Sequence, residues 1–213
     1  MIVLCGGIKG GSGKTTVATN LAVMRAIDGH DVLLVDADDQ ETASDFTTYR
    51  NESTDDEAGY TAVKLTGKAV RTELHRLQDK YDDIVIDTGG RDTTSQRAAL
   101  TVADALLVPF VPRSFDIWTL DAVADLVEEI SAINPDLRAL AFINRADPRG
   151  SDNAEAAAVL KESPLEFLNS SLGNRKSFAN AAAAGLSVVE IKPSDPKAIK
   201  EVKLLYKLIF NSK

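Results

Sequence analysis

Short runs of β-branched and aliphatic residues recur along this chain, and longer stretches with a helical repeat of apolar positions separate them. The runs Ile2–Cys5, Val32–Val35, Tyr60–Leu65, Ile84–Ile86, Ala105–Val108 and Leu137–Ile143 predict strands. Several lack any polar position, as a strand must when helices cover both of its faces. Between and after them the periodicity predicts helices over 14–28, 41–50, 68–79, 92–103, 116–133, 152–162, 175–184 and 196–210. Strand and helix in alternation predict a doubly wound α/β fold, with a mainly parallel sheet and helices on both faces. The acidic stretch Asn51 to Glu57 and the segment Pro148-Arg149-Gly150-Ser151 read as surface connections.

At 213 residues and 44% hydrophobic content the chain can bury a large core, and no repeat or low-complexity linker divides it. One domain spanning 1–213 is expected. No apolar stretch approaches the roughly 18 residues of a membrane span, and Met1 to Cys5 runs into a glycine-rich loop without a charged leader. A cytoplasmic location follows as an expectation. The lone cysteine, Cys5, falls in an apolar strand and reads as a buried thiol; a zinc cluster or a bridged iron-sulfur centre needs more. The formal charge is −8, but residues 171 to 213 carry eight lysines and arginines against three acidic residues. A basic C-terminal fifth on an acidic body permits a local anion-binding patch and excludes a positive field over the whole surface.

Three segments at strand ends carry candidate chemistry. The first is Lys9-Gly10-Gly11-Ser12-Gly13-Lys14-Thr15-Thr16. Glycines let bare backbone curl around phosphates with its amides inward, Lys14 answers the β and γ charges, the Thr15 hydroxyl can ligate Mg²⁺, and Thr16 lies toward the α-phosphate. The following helix adds its N-terminal dipole. Ile8 stands where the common phosphate-loop pattern has glycine, and Lys9 comes next. In the second, Asp36-Ala37-Asp38-Asp39-Gln40, two carboxylates leave a buried strand where they can orient metal-bound or attacking water. In the third, Asp87-Thr88-Gly89-Gly90-Arg91, Asp87 can hold Mg²⁺ and Gly90 can offer its amide to a γ-phosphate.

The lysine ahead of the double glycine resembles the ParA/MinD family of ATPases. That resemblance extends over nearly the whole chain and implies a P-loop NTPase fold of the SIMIBI type, with ATP and Mg²⁺ bound. It implies that Lys9 reaches a partner subunit's nucleotide, so that two ATP molecules are sandwiched in a homodimer. The segment at Asp36 is similar to the family's Asp-x-Asp-Pro-Gln, which implies that Asp38 positions the nucleophilic water; Asp39 replaces the usual proline. Where Gly89-Gly90 stand, the family more often has prolines, which suggests a more mobile switch. Asn144-Arg145-Ala146-Asp147 is similar to the guanine-reading motif of GTPases. Relatives with the extra lysine bind adenine nucleotides, and an asparagine here implies a contact to the adenine amino group, so ATP is expected.

Leu172-Gly173-Asn174-Arg175-Lys176 resembles the segment in which ParA proteins contact DNA backbone, which makes Arg175 and Lys176 candidates. On the last helix, Lys197, Lys200, Lys203 and Lys207 fall within an arc of roughly 120° opposite Val202, Leu205, Tyr206 and Ile209. A solvated lysine face is the plain alternative; nonspecific contact with DNA phosphates is the functional one. The chain thus looks like a short ParA without an N-terminal helix-turn-helix. It is expected to dimerise with ATP, bind nonspecific DNA over the nucleoid and position a plasmid, chromosome or protein assembly. Hydrolysis is expected to be stimulated by a ParB-like or adaptor partner. The rivals are a metabolic ligase of the dethiobiotin synthetase type and a MinD-like membrane-cycling ATPase. Membrane binding is disfavoured because the apolar side of the last helix is needed for the core.

Overall fold

The computed structural model describes residues 1–55, 57–112, 117–149 and 151–210. Seven strands form one sheet: β1 Ile2–Cys5, β2 Val32–Asp36, β3 Thr61–Lys64, β4 Asp83–Asp87, β5 Ala105–Phe110, β6 Arg138–Ala146 and β7 Glu166–Gly173. Their order is β3-β2-β4-β1-β5-β6-β7, and every recorded pairing is parallel. All strand ends therefore open on one rim. The helices are α1 Lys14–Ile27, α2 Thr42–Ser53, α3 Ala69–Leu77, α4 Thr94–Leu100, α5 Ile117–Ser131, α6 Asp152–Glu162, α7 Lys176–Ala183 and α8 Pro196–Phe210.

Alternation along the buried strands divides the core in two. Val3, Leu34, Val85, Leu107 and Phe142 face α1, α7 and α8, meeting Leu21, Phe178, Val202 and Leu205. Leu4, Leu33, Ile84, Ile86 and Leu106 face the other way, onto Val70 and Leu74 of α3, Leu100 of α4, Val123 of α5 and Leu160 of α6. Both layers are apolar, which is why the central runs of these strands carry no polar position at either parity.

The expected doubly wound architecture is present. Strand β7 was not among the expected elements. Its sequence, EFLNSSLG, carries three small polar residues, yet Leu168, Ser170 and Leu172 alternate inward as a half-covered strand at a sheet edge requires. Strand β6 runs three residues past Ile143, so Asn144 to Ala146 close a strand rather than follow one. Helix α2 continues to Ser53, so the start of the expected Asn51 to Glu57 loop is helical. Asp116, the expected first residue of the fifth helix, Asp56 in the acidic loop and Gly150 in the Pro148 to Ser151 segment lie outside the described residues, as does the tail beyond Phe210. Among the described residues no helix is long and apolar enough to cross a membrane.

Candidate nucleotide site

The loop after β1 reaches α1 through Gly13, which takes a left-handed backbone at φ 93°. A side chain there would be strained by that backbone and would also displace Asn144, whose Nδ2 lies 2.3 Å from the position of a Cβ on Gly13. No side chain caps α1, so its first amides remain open to an anion. Lys14 is buried, and its ammonium donates to the Lys9 carbonyl at 3.0 Å, parked on the loop's own backbone. Burial lowers its pKa, against the nearby Asp87 and Asp38 charges.

Parallel register sets Cys5, Asp87 and Asp36 side by side at the ends of β1, β4 and β2. Asp87 is fully buried, and neither carboxylate oxygen accepts a hydrogen bond of ordinary geometry. Desolvation pushes its pKa up to about 7; the adjacent Thr15 hydroxyl and Lys14 pull it down, while Asp36 and Asp38 push it further up. A buried carboxylate without donors, beside a threonine hydroxyl, fits a hydrated Mg²⁺. Among the described residues no group of three or more His, Cys, Asp or Glu side chains could hold a metal, so the ion would also draw on phosphate oxygens and water.

Asp36 is placed differently from its expected metal role. Its Oδ2 accepts from the Ser44 amide at 2.8 Å and the Ser44 hydroxyl at 2.7 Å, and its Oδ1 accepts from the Asp38 amide at 3.2 Å. The carboxylate is occupied in fastening α2 and the turn that carries Asp38. Asp38 itself opens to the cleft, and Gly89 of the facing loop backs onto it. Gly90 packs harder still: a Cβ on it would stand 2.4 Å from the Gly10 Cα. The Gly89-Gly90 pair thus has a steric reason in the approach of two loops.

The resulting cleft, about 720 Å³, is lined by Gly10, Gly11, Gly13, Lys14, Thr15, Thr16, Asp38 and Gly90. The Ser12 side chain folds back toward the Lys9 carbonyl at 3.4 Å. Lys9 lines a separate, mainly apolar pocket on the other side of the loop, with Pro109, Phe110, Thr119 and Arg145. A third recess, beyond Thr16, is walled by Asn144, Leu172, Asn174, Arg175 and Phe178 and lies where a base would follow the α-phosphate. Asn144 belongs to that wall, and its amide also braces the loop: Nδ2 donates to the Ser12 carbonyl at 2.7 Å and Oδ1 accepts from the Arg145 amide. An amide nitrogen carries two hydrogens, so this strut does not exhaust the donor expected to meet the base. Arg145 holds a left-handed backbone at φ 51° and borders all three cavities, a residue that its sequence position alone did not single out.

The basic residues divide. Lys176, Lys197, Lys200, Lys203 and Lys207 are exposed. Arg175 is not available in the way expected of a DNA contact, because its guanidinium forks onto both Glu201 oxygens at 2.9 and 2.6 Å. Gln96 is a further residue that sequence reading missed. Buried, it accepts from the Gly7 amide at 3.0 Å and the Thr88 hydroxyl at 3.1 Å, tying the phosphate loop's entry to the loop after Asp87.

An open loop at a helix start, its parked lysine and a metal-ready carboxylate one strand away define a P-loop nucleotide-binding protein of the α/β class. The chain belongs to the CobQ/CobB/MinD/ParA nucleotide binding domain family, whose model matches residues 2–188. Members of the ParA/MinD group are ATPases. The chain is 25% identical over 196 residues to maintenance of carboxysome distribution protein A of Halothiobacillus neapolitanus, covering 92% of this chain and 89% of that protein. It is 31% identical over 186 residues to the protein of the same name from Gloeobacter kilaueensis, covering 85% and 81%. The fold is similar to that of a Cyanothece McdA variant in complex with ATP, at a TM-score of 0.78 and 19% identity, covering 100% of this chain and 96% of that one.

Proposed function

We propose that this protein is a ParA-type ATPase that dimerises around two ATP molecules, binds nonspecific DNA in that state and positions a protein assembly over the nucleoid. The observation that carries the reading is the divergence of the two loop lysines. Lys14 lines the phosphate cleft, whereas Lys9 lines a pocket on the far side of the loop. A second loop lysine outside the lining of its own cleft suits the nucleotide of a facing copy, and a two-fold arrangement serves both sites at once.

In that scheme the α1 amides and Lys14 hold the β and γ phosphates, Lys9 adds charge from across the interface, and Asp38 orients water at the γ-phosphorus. Thr15 and Asp87 would hold Mg²⁺, which neutralises charge building on the phosphate oxygens. Gly90, against Gly10, senses the γ-phosphate by its amide, and hydrolysis loosens the interface. Lys176, Lys203 and Lys207 meet DNA phosphates; dimerisation doubles the contact. An adaptor or ParB-like partner on the cargo stimulates turnover. The names of the two carboxysome-distribution relatives support a protein assembly as cargo over a plasmid or chromosome.

Light scattering in saturating non-hydrolysable ATP analogue tests the core of this reading. Dimers are expected for the wild type, and monomers for Lys9→Ala with nucleotide still bound. A wild-type protein that stays monomeric overturns it.

A further inference from the structure

The sheet ends at β7, and among the described residues no strand pairs with its outer side. Along that free edge runs a cleft of about 410 Å³ that wraps from α6 to α8. Ala157 and Phe167 line its α6 side; Ser170, Lys197, Lys200 and Leu204 line its α8 side. Ser170 is 6% exposed, and its hydroxyl has no hydrogen-bond partner. Leu204, 45% exposed, is one of the few large apolar side chains left open to water.

The charge along this edge is one-sided. Glu201 is held by Arg175 and by the Gly173 amide, and Glu166 is held by Arg138. Lys197 and Lys200 have no ion-pair partner among the described residues. An edge with unpaired backbone groups, an apolar groove beneath it and two unneutralised ammonium groups beside it matches a strand-adding peptide.

We propose that this cleft receives an extended acidic segment of the partner protein, which adds to the sheet beside β7. Alternate side chains of the added strand enter the groove against Leu204 and Phe167, while those between carry carboxylates toward Lys197 and Lys200. Edge-to-edge pairing of two copies is disfavoured, because it brings these lysines toward their own counterparts. Duplex DNA would meet the lysines but would leave the groove and the backbone edge unfilled. The inference rests on the partner half of the function proposed above, and Lys203 and Lys207 lie outside the cleft.

Hydrogen exchange of the full chain, read over residues 166–173, tests the assignment with a short capped peptide of alternating glutamate and valine. Slower exchange at β7 is expected with that peptide, with no slowing by its lysine-valine counterpart. Leu204→Asp should abolish the protection while basal ATP turnover and analogue-induced dimerisation stay intact. Lys200→Glu should weaken the acidic peptide roughly fivefold, as loss of an exposed ion pair allows. Unchanged exchange at β7, equal protection by both peptides, protection by duplex DNA alone, or concentration-dependent self-protection without peptide would each overturn it. Dimerisation by the analogue is scored in the same samples, so failure at this edge is distinguishable from failure of the ATP-dimer scheme.

Discussion

The Arg175 guanidinium, at the start of α7, grips both carboxylate oxygens of Glu201 on α8, 26 positions later in the sequence, and so fastens the two helices together. A cation spent in this way is a weak phosphate ligand. Replacing Glu201 by glutamine should release it. Retention on duplex DNA by the analogue-bound protein is expected to rise, with a salt dependence steeper by roughly one unit per released cation. Lys203→Ala and Lys207→Ala should each flatten that dependence by about one unit. Filter binding across a salt series reads both changes.

Asp87 sets a pH dependence with a definite sign. Its folded pKa of about 7 lies above the value of an unfolded aspartate, so the folded protein holds a proton that the unfolded chain releases. The contribution of Asp87 to the stability of the nucleotide-free protein is therefore fully present below roughly pH 4 and is lost as pH rises through 7. Asp87→Asn should remove this slope and raise the melting temperature above pH 7. Mg²⁺-dependent nucleotide affinity should run the other way in the wild type, falling about tenfold per unit below pH 7 as protons compete for the carboxylate. Calorimetric melting and nucleotide titrations across pH separate the two trends.

Asp38→Ala should keep ATP binding and the dimer while turnover falls by at least about 10²-fold, the range of a lost proton-handling group. The carboxylate opens to the cleft, whereas Asp36, fastened to Ser44, carries the fold of the turn. Asp36→Ala should accordingly lower the melting temperature as well as activity. If Asp38→Ala also loses the dimer, its role is architectural.

Asn144 supports the phosphate loop through its 2.7 Å bond to the Ser12 carbonyl. Asn144→Ala leaves a buried carbonyl unsatisfied, a loss of about 1–3 kcal/mol. ATP and GTP affinities should fall together, by roughly tenfold. A loss confined to adenine nucleotides would instead mark Asn144 as the reader of the base, and competitive titration of both nucleotides decides between the roles.

Much of the fold was legible because it depends on local patterns. The uninterrupted runs at Ile84–Ile86 and Val32–Val35 are short and rich in β-branched residues, which favours a strand covered on both faces over a buried helix, and Gly10 to Thr15 have few uses other than curling around phosphate. Strand β7 was hidden because an edge strand needs only every second residue buried, and Ser170 satisfied that parity without being apolar. The Leu168-Ser170-Leu172 repeat was its faint signal. The site's acids illustrate the same limit. Asp36, Asp38 and Asp87 look equivalent as letters, and only the approach of Ser44 to one and of no donor to another separates their jobs. Gln96 could not be found from spacing, since its partners Gly7 and Thr88 lie on two other elements.

The Lys14 ammonium rests on the Lys9 carbonyl. An arriving triphosphate must prise that contact apart, releasing the peptide that carries the other loop lysine. In the dimer proposed above, occupancy of a subunit's own pocket would thereby be announced where a second subunit docks, by a single tethered charge changing hands.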